Sequence, residues 1–226
     1  MSSMDIRSRK ISETFKGKHI DNFRSWRTKA KESGKIPDSE KILSKNGDLA
    51  FLIGLILGDG CLSKFERTEC LRLTLGTDKP KLAYYAVEVV ASVFSKRPSI
   101  IKRSNSNCFN ITLYQKNISA RLGLPCGARE NKAINFPNWI WEKNENLINF
   151  LRGLFEAEAS YSVHIPTCTY NFEFSNTNES ILDVVESILC GLGYSPERRI
   201  NAVRLRKRAE AEGFRDLIRF RAYPDI

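Results

Sequence analysis

The strongest constraint on the fold of this chain is an apolar, glycine-containing segment that occurs twice, about 100 residues apart. The copies span Asp48–Gly60 and Leu147–Ala159, and each carries an acidic residue near its end, Asp59 or Glu158. The first copy is apolar around nearly its whole circumference when it is wound as an α-helix, and such a helix belongs in a protein core. We therefore predict a pair of buried helices at the centre of the molecule.

The same order of elements follows each copy. Leu71, Leu73 and Leu75 alternate with polar residues after the first copy, as Tyr170, Phe172 and Phe174 do after the second, which indicates half-buried strands. The later predicted elements are a helix at Lys79–Phe94, a hairpin of Ser99–Ile101 with Phe109–Tyr114 and a helix at Asn117–Leu122, then a helix at Asn178–Leu192, a hairpin within Arg199–Arg208 and a helix at Ala211–Tyr223. The sequence thus predicts an α+β fold of duplicated αββαββα units that pack into one body.

This duplication predicts four segments. A basic N-terminal arm at 1–47 precedes a first subdomain at 48–130, and a linker at 131–146 leads to a second subdomain at 147–226. The arm holds twelve Lys and Arg against six acidic residues.

Within the arm, Ile20, Phe23 and Ala30 fall at helical spacing, and Gly34 is typical of a helix end. Two interpretations stay open for this helix. It docks on the main body through Phe23 and Trp26, or it is a basic arm that contacts phosphates.

The charge of the chain indicates a polyanionic partner. Its 226 residues include 36 Lys and Arg against 26 Asp and Glu, a net charge of +10, and nucleic acid is the commonest large polyanion. No apolar run reaches the ~18 residues that cross a bilayer, so we expect no membrane partner. The first residues lack an apolar signal core, so we expect a cytoplasmic protein, or an organellar one if an organelle intron encodes it.

Cysteine and histidine usage excludes the common zinc sites. Six cysteines are scattered without a CxxC pair, and only two histidines accompany them. We expect the thiols to be reduced. If the protein cuts nucleic acid, carboxylates must do most of the work.

Glycines at matching positions explain how carboxylates come together. Gly54 and Gly153 each lie inside a helical segment, where glycine costs about 1 kcal/mol relative to alanine. Close approach of a second backbone is the natural reason for keeping them. Helices that touch at these glycines bring Asp59 and Glu158 side by side.

Two adjacent carboxylates at helix C-terminal ends repel each other and the helix carbonyls, and a cation relieves that repulsion. Hard divalent ions take carboxylate and carbonyl oxygens, and Mg²⁺ also meets phosphate oxygens. We therefore predict a Mg²⁺ site at Asp59 and Glu158, with the carbonyls of Gly58 and Ala157 as further ligands. Such a site beside a basic surface is typical of metal-assisted phosphodiester cleavage.

The segments LIGLILGDG (52–60) and LRGLFEAEA (151–159) resemble the two signature motifs of the LAGLIDADG homing endonucleases, in particular their single-chain, pseudo-symmetric type. The resemblance covers residues 49 to about 223. It implies curved antiparallel sheets packed through a central pair of LAGLIDADG helices, whose terminal acids bind divalent metal. It also implies an intron-encoded monomer that makes a double-strand break in double-stranded DNA, with Mn²⁺ or Ca²⁺ able to replace Mg²⁺ in binding.

Three positions depart from the motif. Leu57 occupies its first acidic position, whereas the second copy has Glu156 there, and Ala159 replaces the closing glycine. The pairing of Asp59 with Glu158 is also asymmetric, which favours unequal rates for the two strand cuts. We expect Glu156 to be a structural or solvated acid.

In the family, the curved sheets follow the DNA major groove, and strand alternation indicates which side chains face it. The predicted DNA-binding residues are Arg72, Thr74, Asn110, Thr112 and Tyr114 in the first half and Asn171, Glu173, Ser175, Arg204, Arg206 and Arg208 in the second, with Lys102, Arg103 and Lys207 on phosphates. The three arginines 204, 206 and 208 either donate to guanine or contact phosphates only. Because the two faces differ, the target should be long and non-palindromic.

The family also places a basic or amide side chain near the metals. Gly76, Thr77, Tyr161 and Asn176 lie in the right neighbourhood, and we assign the catalytic role to Asn176. Lys207 or Arg206 is an alternative.

Two other functions use the same fold. An RNA-splicing maturase would bind an intron RNA, and a DNA-binding regulator would bind without cutting. The presence of both acids favours the nuclease.

Overall fold

The computed structural model describes residues 10, 11, 13, 14, 17, 18, 23–129, 133, 134 and 136–224. The chain divides into two compact units, Met1–Asp38 and Ser39–Ile226. Residues 39–47, which the sequence had assigned to the arm, therefore belong to the second unit.

The first unit contains helix α1, Arg24–Glu32. Its end is as predicted, because Gly34 adopts a left-handed conformation with φ of +71° just beyond the helix. Ala30 is buried and Trp26 is exposed. The predicted helical position Ile20 lies outside the described residues.

The second unit contains two copies of one element order. The first half comprises α2 (Gly47–Asp59), β1 (Gly60–Lys64), β2 (Glu69–Gly76), α3 (Pro80–Phe94), β3 (Ser99–Lys102), β4 (Cys108–Gln115) and α4 (Ile118–Leu122), and the second comprises α5 (Asn144–Glu158), β5 (Ala159–His164), β6 (Thr169–Ser175), α6 (Glu179–Gly191), β7 (Glu197–Arg199), β8 (Ala202–Leu205) and α7 (Arg208–Leu217). The predicted αββαββα duplication is confirmed.

Each half forms a four-stranded antiparallel sheet. The strand orders are β1-β2-β4-β3 and β5-β6-β8-β7, so the topology is the same in both. On β2, Leu71, Leu73 and Leu75 are buried, and on β6 the same is true of Phe172 and Phe174. One face of each sheet therefore packs on helices, and the alternate side chains form an open face.

Helices α2 and α5 pack against each other backbone to backbone. A Cβ atom added to Gly54 would lie 2.9 Å from the Leu154 amide nitrogen and closer still to the Phe150 carbonyl oxygen. A Cβ added to Gly153 would lie 2.8 Å from the Leu55 amide nitrogen. The predicted contact at the two glycines is confirmed.

The central helices are fixed by capping and by aromatic packing. Asn46 caps α2 by accepting a hydrogen bond from the Leu49 amide at 3.0 Å. In the second half, Phe155 of α5 packs against Phe172 and Phe214, with ring centroids 5.0 Å apart in each case. Among the residues described, no helix combines the length and apolar character of a membrane-spanning segment.

A buried arginine joins the two halves near the C-terminus of the second unit. The Arg152 guanidinium lies over the rings of Phe51, Tyr85 and Tyr223, between 5.1 and 5.6 Å from their centroids. It also donates a hydrogen bond to the Ala222 carbonyl oxygen at 2.6 Å. Because Phe51 and Tyr85 come from the first half, this cation–π cage is an inter-half contact.

Glu156 is fully buried beside this cage, so it has a structural role. Its Oε1 accepts a hydrogen bond from the Arg221 amide. Burial raises the pKa of the Glu156 carboxyl, and the Tyr223 hydroxyl, the Arg221 amide and the charge of Arg152 oppose that rise.

The second hairpin is shorter than predicted. Strand β8 ends at Leu205 and helix α7 begins at Arg208, because Ala211 and Phe214 bury one face of that helix. The segment predicted as the linker, 131–146, contains packed residues and the start of a helix. Trp139 and Ile140 are buried in a 3₁₀ turn, and α5 begins at Asn144, while residues 130–132 and 135 lie outside the described residues.

We predict that Gly54→Ala lowers the free energy of unfolding by roughly 1–3 kcal/mol, because the new methyl group must force the central helices apart. Urea denaturation followed by circular dichroism measures the change. Gly213→Ala is the matched control, since Gly213 lies in helix α7 with nothing within 4 Å of an added Cβ. That control should raise stability by up to about 1 kcal/mol. Equal effects of the two substitutions would contradict the packing argument.

Candidate active site

The contact between α2 and α5 continues to their C-terminal ends. A Cβ atom on Gly58 would collide with the Cβ of Ala157 and would lie 3.0 Å from Cγ and 3.7 Å from Oε1 of Glu158. Each helix ends at its acidic residue, Asp59 or Glu158, and a strand follows at once. The two acidic termini therefore lie against each other, as the glycine pattern had led us to expect.

Both Asp59 and Glu158 are half-buried. Burial, with a contribution from the charge of Glu158, raises the pKa of Asp59 from its ordinary 3.8 to about 7. Burial also raises the pKa of Glu158. Lys79 opposes the rise at both residues. The pair holds negative charge unfavourably unless a cation is near.

Lys79 is the cation that the structure brings to this pair, and sequence reasoning missed it. It is the N-cap residue of α3, directly before Pro80. Its Nζ donates a hydrogen bond to the Glu156 carbonyl oxygen at 3.3 Å, in the last turn of α5. A first-half lysine thus reaches the helix end of the second half. A lysine before a helix-starting proline gives no sequence signal of such a contact.

A second cation, Arg129, lies at the end of α2 and was also missed. Its guanidinium donates hydrogen bonds to the carbonyl oxygens of Ile56 (2.8 Å) and Gly60. Its own carbonyl oxygen accepts from Asn178 Nδ2 at 2.9 Å, and Asn178 is the N-cap of α6. Lys79 and Asn178 are the matching N-cap residues of α3 and α6. Lys79 of the first half contacts the end of α5 directly. Asn178 of the second half contacts Arg129, which in turn binds the end of α2.

Asn176, the predicted catalytic amide, makes local hydrogen bonds. The side-chain Oδ1 of Asn176 accepts a hydrogen bond from the backbone amide of Asn178 at 2.8 Å. The backbone amide of Asn176 donates to the Asn201 carbonyl oxygen at 3.0 Å. Tyr161 lies on the helix side of the second sheet, where the Arg215 guanidinium is 4.9 Å from its ring centroid. The charge of Lys79 acts on both Asp59 and Glu158. A catalytic role for Asn176 stays a prediction.

The open face of the first sheet carries the polar side chains that alternation indicated. Arg72, Thr74 and Tyr114 are exposed, and Asn110 and Thr112 are half-buried on the same face. Thr74 Oγ1 donates to Asn110 Oδ1 at 3.3 Å. Lys102 and Arg103 are exposed at the end of β3 and just beyond it.

The open face of the second sheet differs in part from the prediction. Asn171, Glu173, Ser175 and Arg204 share this face, since their neighbours along β6 and β8 are buried. Glu173 and Arg204 form an ion pair at 3.9 Å.

The prediction that Arg204, Arg206 and Arg208 form one row along a strand is wrong for Arg208, which begins helix α7. Arg206 follows the end of β8, and Lys207 caps α7 while its Nζ bonds to Glu210 at 2.9 Å. Arg208 is the first residue of α7, where its guanidinium lies 5.3 Å from the ring centroid of Tyr170. Tyr170 alternates with Asn171, so Arg208 lies on the helix side of the sheet. The alternation had been extended beyond the true end of the strand.

No protein-family model matches the sequence, and no curated protein matches it either. Solved structures do match. The structure is similar to that of I-DmoI in complex with DNA and Mn, with a TM-score of 0.55, 15% identity, and coverage of 77% of this chain and 97% of that chain. It is similar to the homing endonuclease I-WcaI bound to its DNA recognition sequence, with a TM-score of 0.55, 16% identity, and coverage of 79% and 83%. It also matches the N-terminal LAGLIDADG domain of DUF199/WhiA, with a TM-score of 0.53, 19% identity, and coverage of 77% and 82%.

The chain has the LAGLIDADG fold. The resemblance of the two repeated segments to the LAGLIDADG motifs is therefore matched by the whole two-sheet architecture. At identities of 15–19%, the structural similarity shows the fold alone.

The acidic end of the LAGLIDADG helices has the donor set of a hard divalent cation. In the described part of the chain, no three His, Cys, Asp or Glu side chains gather as a metal cluster, so Asp59 and Glu158 would hold an ion as a pair. Gly58 and Ala157 lie in the last helical turns, whose carbonyls lack intrahelical donors. Together with the two carboxylates, their oxygens are donors of the kind that hard divalent cations take.

The raised pKa of Asp59 predicts a stability cost in the metal-free protein. Between pH 3.8 and about 7 the folded state binds more protons at Asp59 than the unfolded state does, so stability falls as the pH rises through that window. Asp59→Asn should therefore stabilise the protein by roughly 1–3 kcal/mol at pH 8 and have little effect at pH 4. Urea denaturation in EDTA at both pH values measures this, and a gain that does not depend on pH would contradict it.

Proposed function

We propose that this protein is a site-specific homing endonuclease that makes a metal-dependent double-strand break in a long, non-palindromic DNA target by phosphodiester hydrolysis. One observation carries the proposal. Two half-buried carboxyls, Asp59 and Glu158, meet at the helix ends with Lys79 beside them. A core helix pair that served stability alone would not keep acidic residues whose charged forms burial disfavours.

Each residue of this group has a distinct task. Asp59 and Glu158 hold the divalent cation, with the carbonyls of Gly58 and Ala157 as further ligands. The bound cation supplies Lewis acidity and charge stabilisation for hydrolysis of the phosphodiester. Lys79 limits the repulsion between the carboxylates and offers a donor to a phosphate oxygen.

The two open sheet faces provide the DNA-binding surface of this proposal. Their side chains differ, since the first face carries Arg72 without an acid in its register row, whereas Glu173 and Arg204 lie together on the second. A single chain with two unlike faces suits a non-palindromic target and needs no second copy. The net charge of +10 favours binding to double-stranded DNA.

Two further functions remain as outcomes of the test. A DNA-binding regulator of this fold would bind the duplex without cutting it, and an RNA-splicing maturase would bind an intron RNA. The pair of acids favours the nuclease over both, because binding alone does not require them.

We predict that Asp59→Asn and Glu158→Gln abolish cleavage and leave DNA binding in place, because each removes a metal-binding charge and neither alters a sheet face. A target is first recovered from a randomised duplex pool by binding in EDTA. A plasmid that carries this target is then incubated with wild type and each variant in Mg²⁺, and linear product and bound duplex are measured.

Asp183→Asn is a control for the loss of one acid, since Asp183 is exposed on α6 and pairs with Arg198 at 3.1 Å. It should cut like the wild type. Full cleavage by the Asp59→Asn, Glu158→Gln double variant would overturn the assigned role. Binding by wild-type protein without any Mg²⁺-dependent cutting would support the regulator.

Lys79→Met should slow cleavage by roughly 100-fold or more, as expected when a donor to the developing charge is lost, while it weakens duplex binding only slightly. Single-turnover rates on the recovered target measure the effect. Lys81→Met changes an exposed lysine two residues away on the same helix and should cut at the wild-type rate. Equal rates for the two variants would remove Lys79 from the mechanism.

A further inference from the structure

A row of polar and charged side chains crosses the open face of the second sheet. It has one residue from each strand, Ser160 on β5, Glu173 on β6, Arg204 on β8 and Glu197 on β7, and each is the register partner of the next. We call these four residues the charged row.

Arg204 is held at the centre of the charged row. Its Nε donates to Glu197 Oε2 at 2.8 Å, and its Nη1 lies 3.9 Å from Glu173 Oε2. The Arg204 side chain is only 19% exposed, so neighbours fix its orientation. The bond to Glu197 uses Nε, so Nη2 and the Nη1 hydrogen that does not face Glu173 are able to donate to another acceptor.

Neighbouring side chains also fix the orientation of the Glu173 carboxylate. Ser175 Oγ donates to Glu173 Oε1 at 3.4 Å, and the Glu173 side chain is 28% exposed. The hydrogen bond from Arg204 holds the pKa of Glu197 below its usual range. The charged row thus places two acids around Arg204 on a face that we propose binds DNA, and Glu197 also pairs with Arg199.

The matching row of the first sheet has no acid. It consists of Cys61, Arg72, Thr112 and Ser99 in successive register positions. Acids on a DNA-binding face repel phosphates, so a carboxylate there is favourable only where it meets a hydrogen-bond donor on a base edge. In the major groove the donors are the amino groups of cytosine and adenine, and of these only cytosine has a pairing partner, guanine, that offers arginine the two acceptors O6 and N7.

We infer that Arg204 and Glu173 together read one G·C base pair in the half of the target that lies under the second sheet. The terminal nitrogens of Arg204 donate to guanine O6 and N7, and a Glu173 oxygen accepts from the cytosine amino group. Glu197 is a positioning residue that fixes the plane of the guanidinium. This inference rests on the proposed function, because it requires the sheet to enter the major groove.

The acids also explain how the wrong pair is rejected. An A·T pair at this position would present the thymine methyl group and O4 to Glu173 in place of an amino donor, leaving the carboxylate without a partner on that base. Repulsion from phosphates then adds to the missing bond, so the charged row penalises other sequences as well as favouring its own.

The test uses the full chain in EDTA, so it does not depend on cleavage. Wild-type protein selects duplexes from a randomised pool, and one G·C pair should be fixed in one half of the recovered target. Dissociation constants are then measured for this duplex and for its twin with A·T at that pair. The wild type should prefer G·C by roughly 5- to 150-fold, the range for one well-formed bidentate pair.

One variant removes a charge and the other keeps it, and this difference separates base reading from a structural role. Glu173→Gln should lose most of the preference yet bind random DNA more tightly, because it removes a charge that repels phosphates. Arg204→Lys should lose the preference while the salt dependence of binding stays unchanged, because lysine keeps the charge and loses the planar fork. Glu197→Gln should weaken the preference to a lesser degree.

Arg97→Gln is the charge control, since Arg97 lies away from both open faces and pairs with Glu88 at 2.8 Å. It should keep the G·C preference. If Glu173→Gln and Arg204→Lys both keep it, or if no G·C pair is fixed, the inference is overturned while DNA binding stands. If Glu173→Gln weakens binding to every duplex alike, its role is structural and the inference also fails. If the wild type recovers no duplex, the proposed function itself fails.

Discussion

The backbone contact between Gly54 and Gly153 sets the position of almost everything else in the second unit. With no Cβ on either helix, the two backbones approach until amide and carbonyl groups of one helix lie against the other. The approach continues to Gly58 and Ala157, and this brings two acidic helix ends together. Glycine weakens each isolated helix, and the packing of the buried faces of the two helices offsets that cost.

The same contact places negative charge at both helix ends, and two cations, Lys79 and Arg129, reduce the repulsion there. Lys79 reaches the α5 end across the interface, and Arg129 binds the carbonyl groups at the α2 end while Asn178 holds its own carbonyl. Neither cation removes the burial that raises the pKa of Asp59. The site therefore stores unfavourable free energy that a bound divalent ion would release, an arrangement typical of functional sites that trade stability for chemistry.

Much of this architecture could be predicted from the sequence, because it follows from periodicity and repetition. The alternation at Leu71–Leu75 fixed a strand and its buried face, and the repeated glycines predicted the helix contact. Lys79 and Arg129 could not be found in this way, since their contacts join residues 69 to 77 positions apart. The arginine row failed for a local reason. Alternation gives no sign of where a strand ends, and the apolar positions Ala211 and Phe214 draw the chain into a helix at Arg208.

The cage around Arg152 has a consequence for how the two repeats can be used. By register, Ile53 is the counterpart of Arg152 in the first copy, and Val184 is the counterpart of Tyr85 in the second. A homodimer of the second repeat would thus bury two guanidinium groups without the tyrosine that now covers one of them. A homodimer of the first repeat would have no such cation. The interior around Arg152 is therefore asymmetric, and each half contributes to it a side chain that the matching position of the other half lacks.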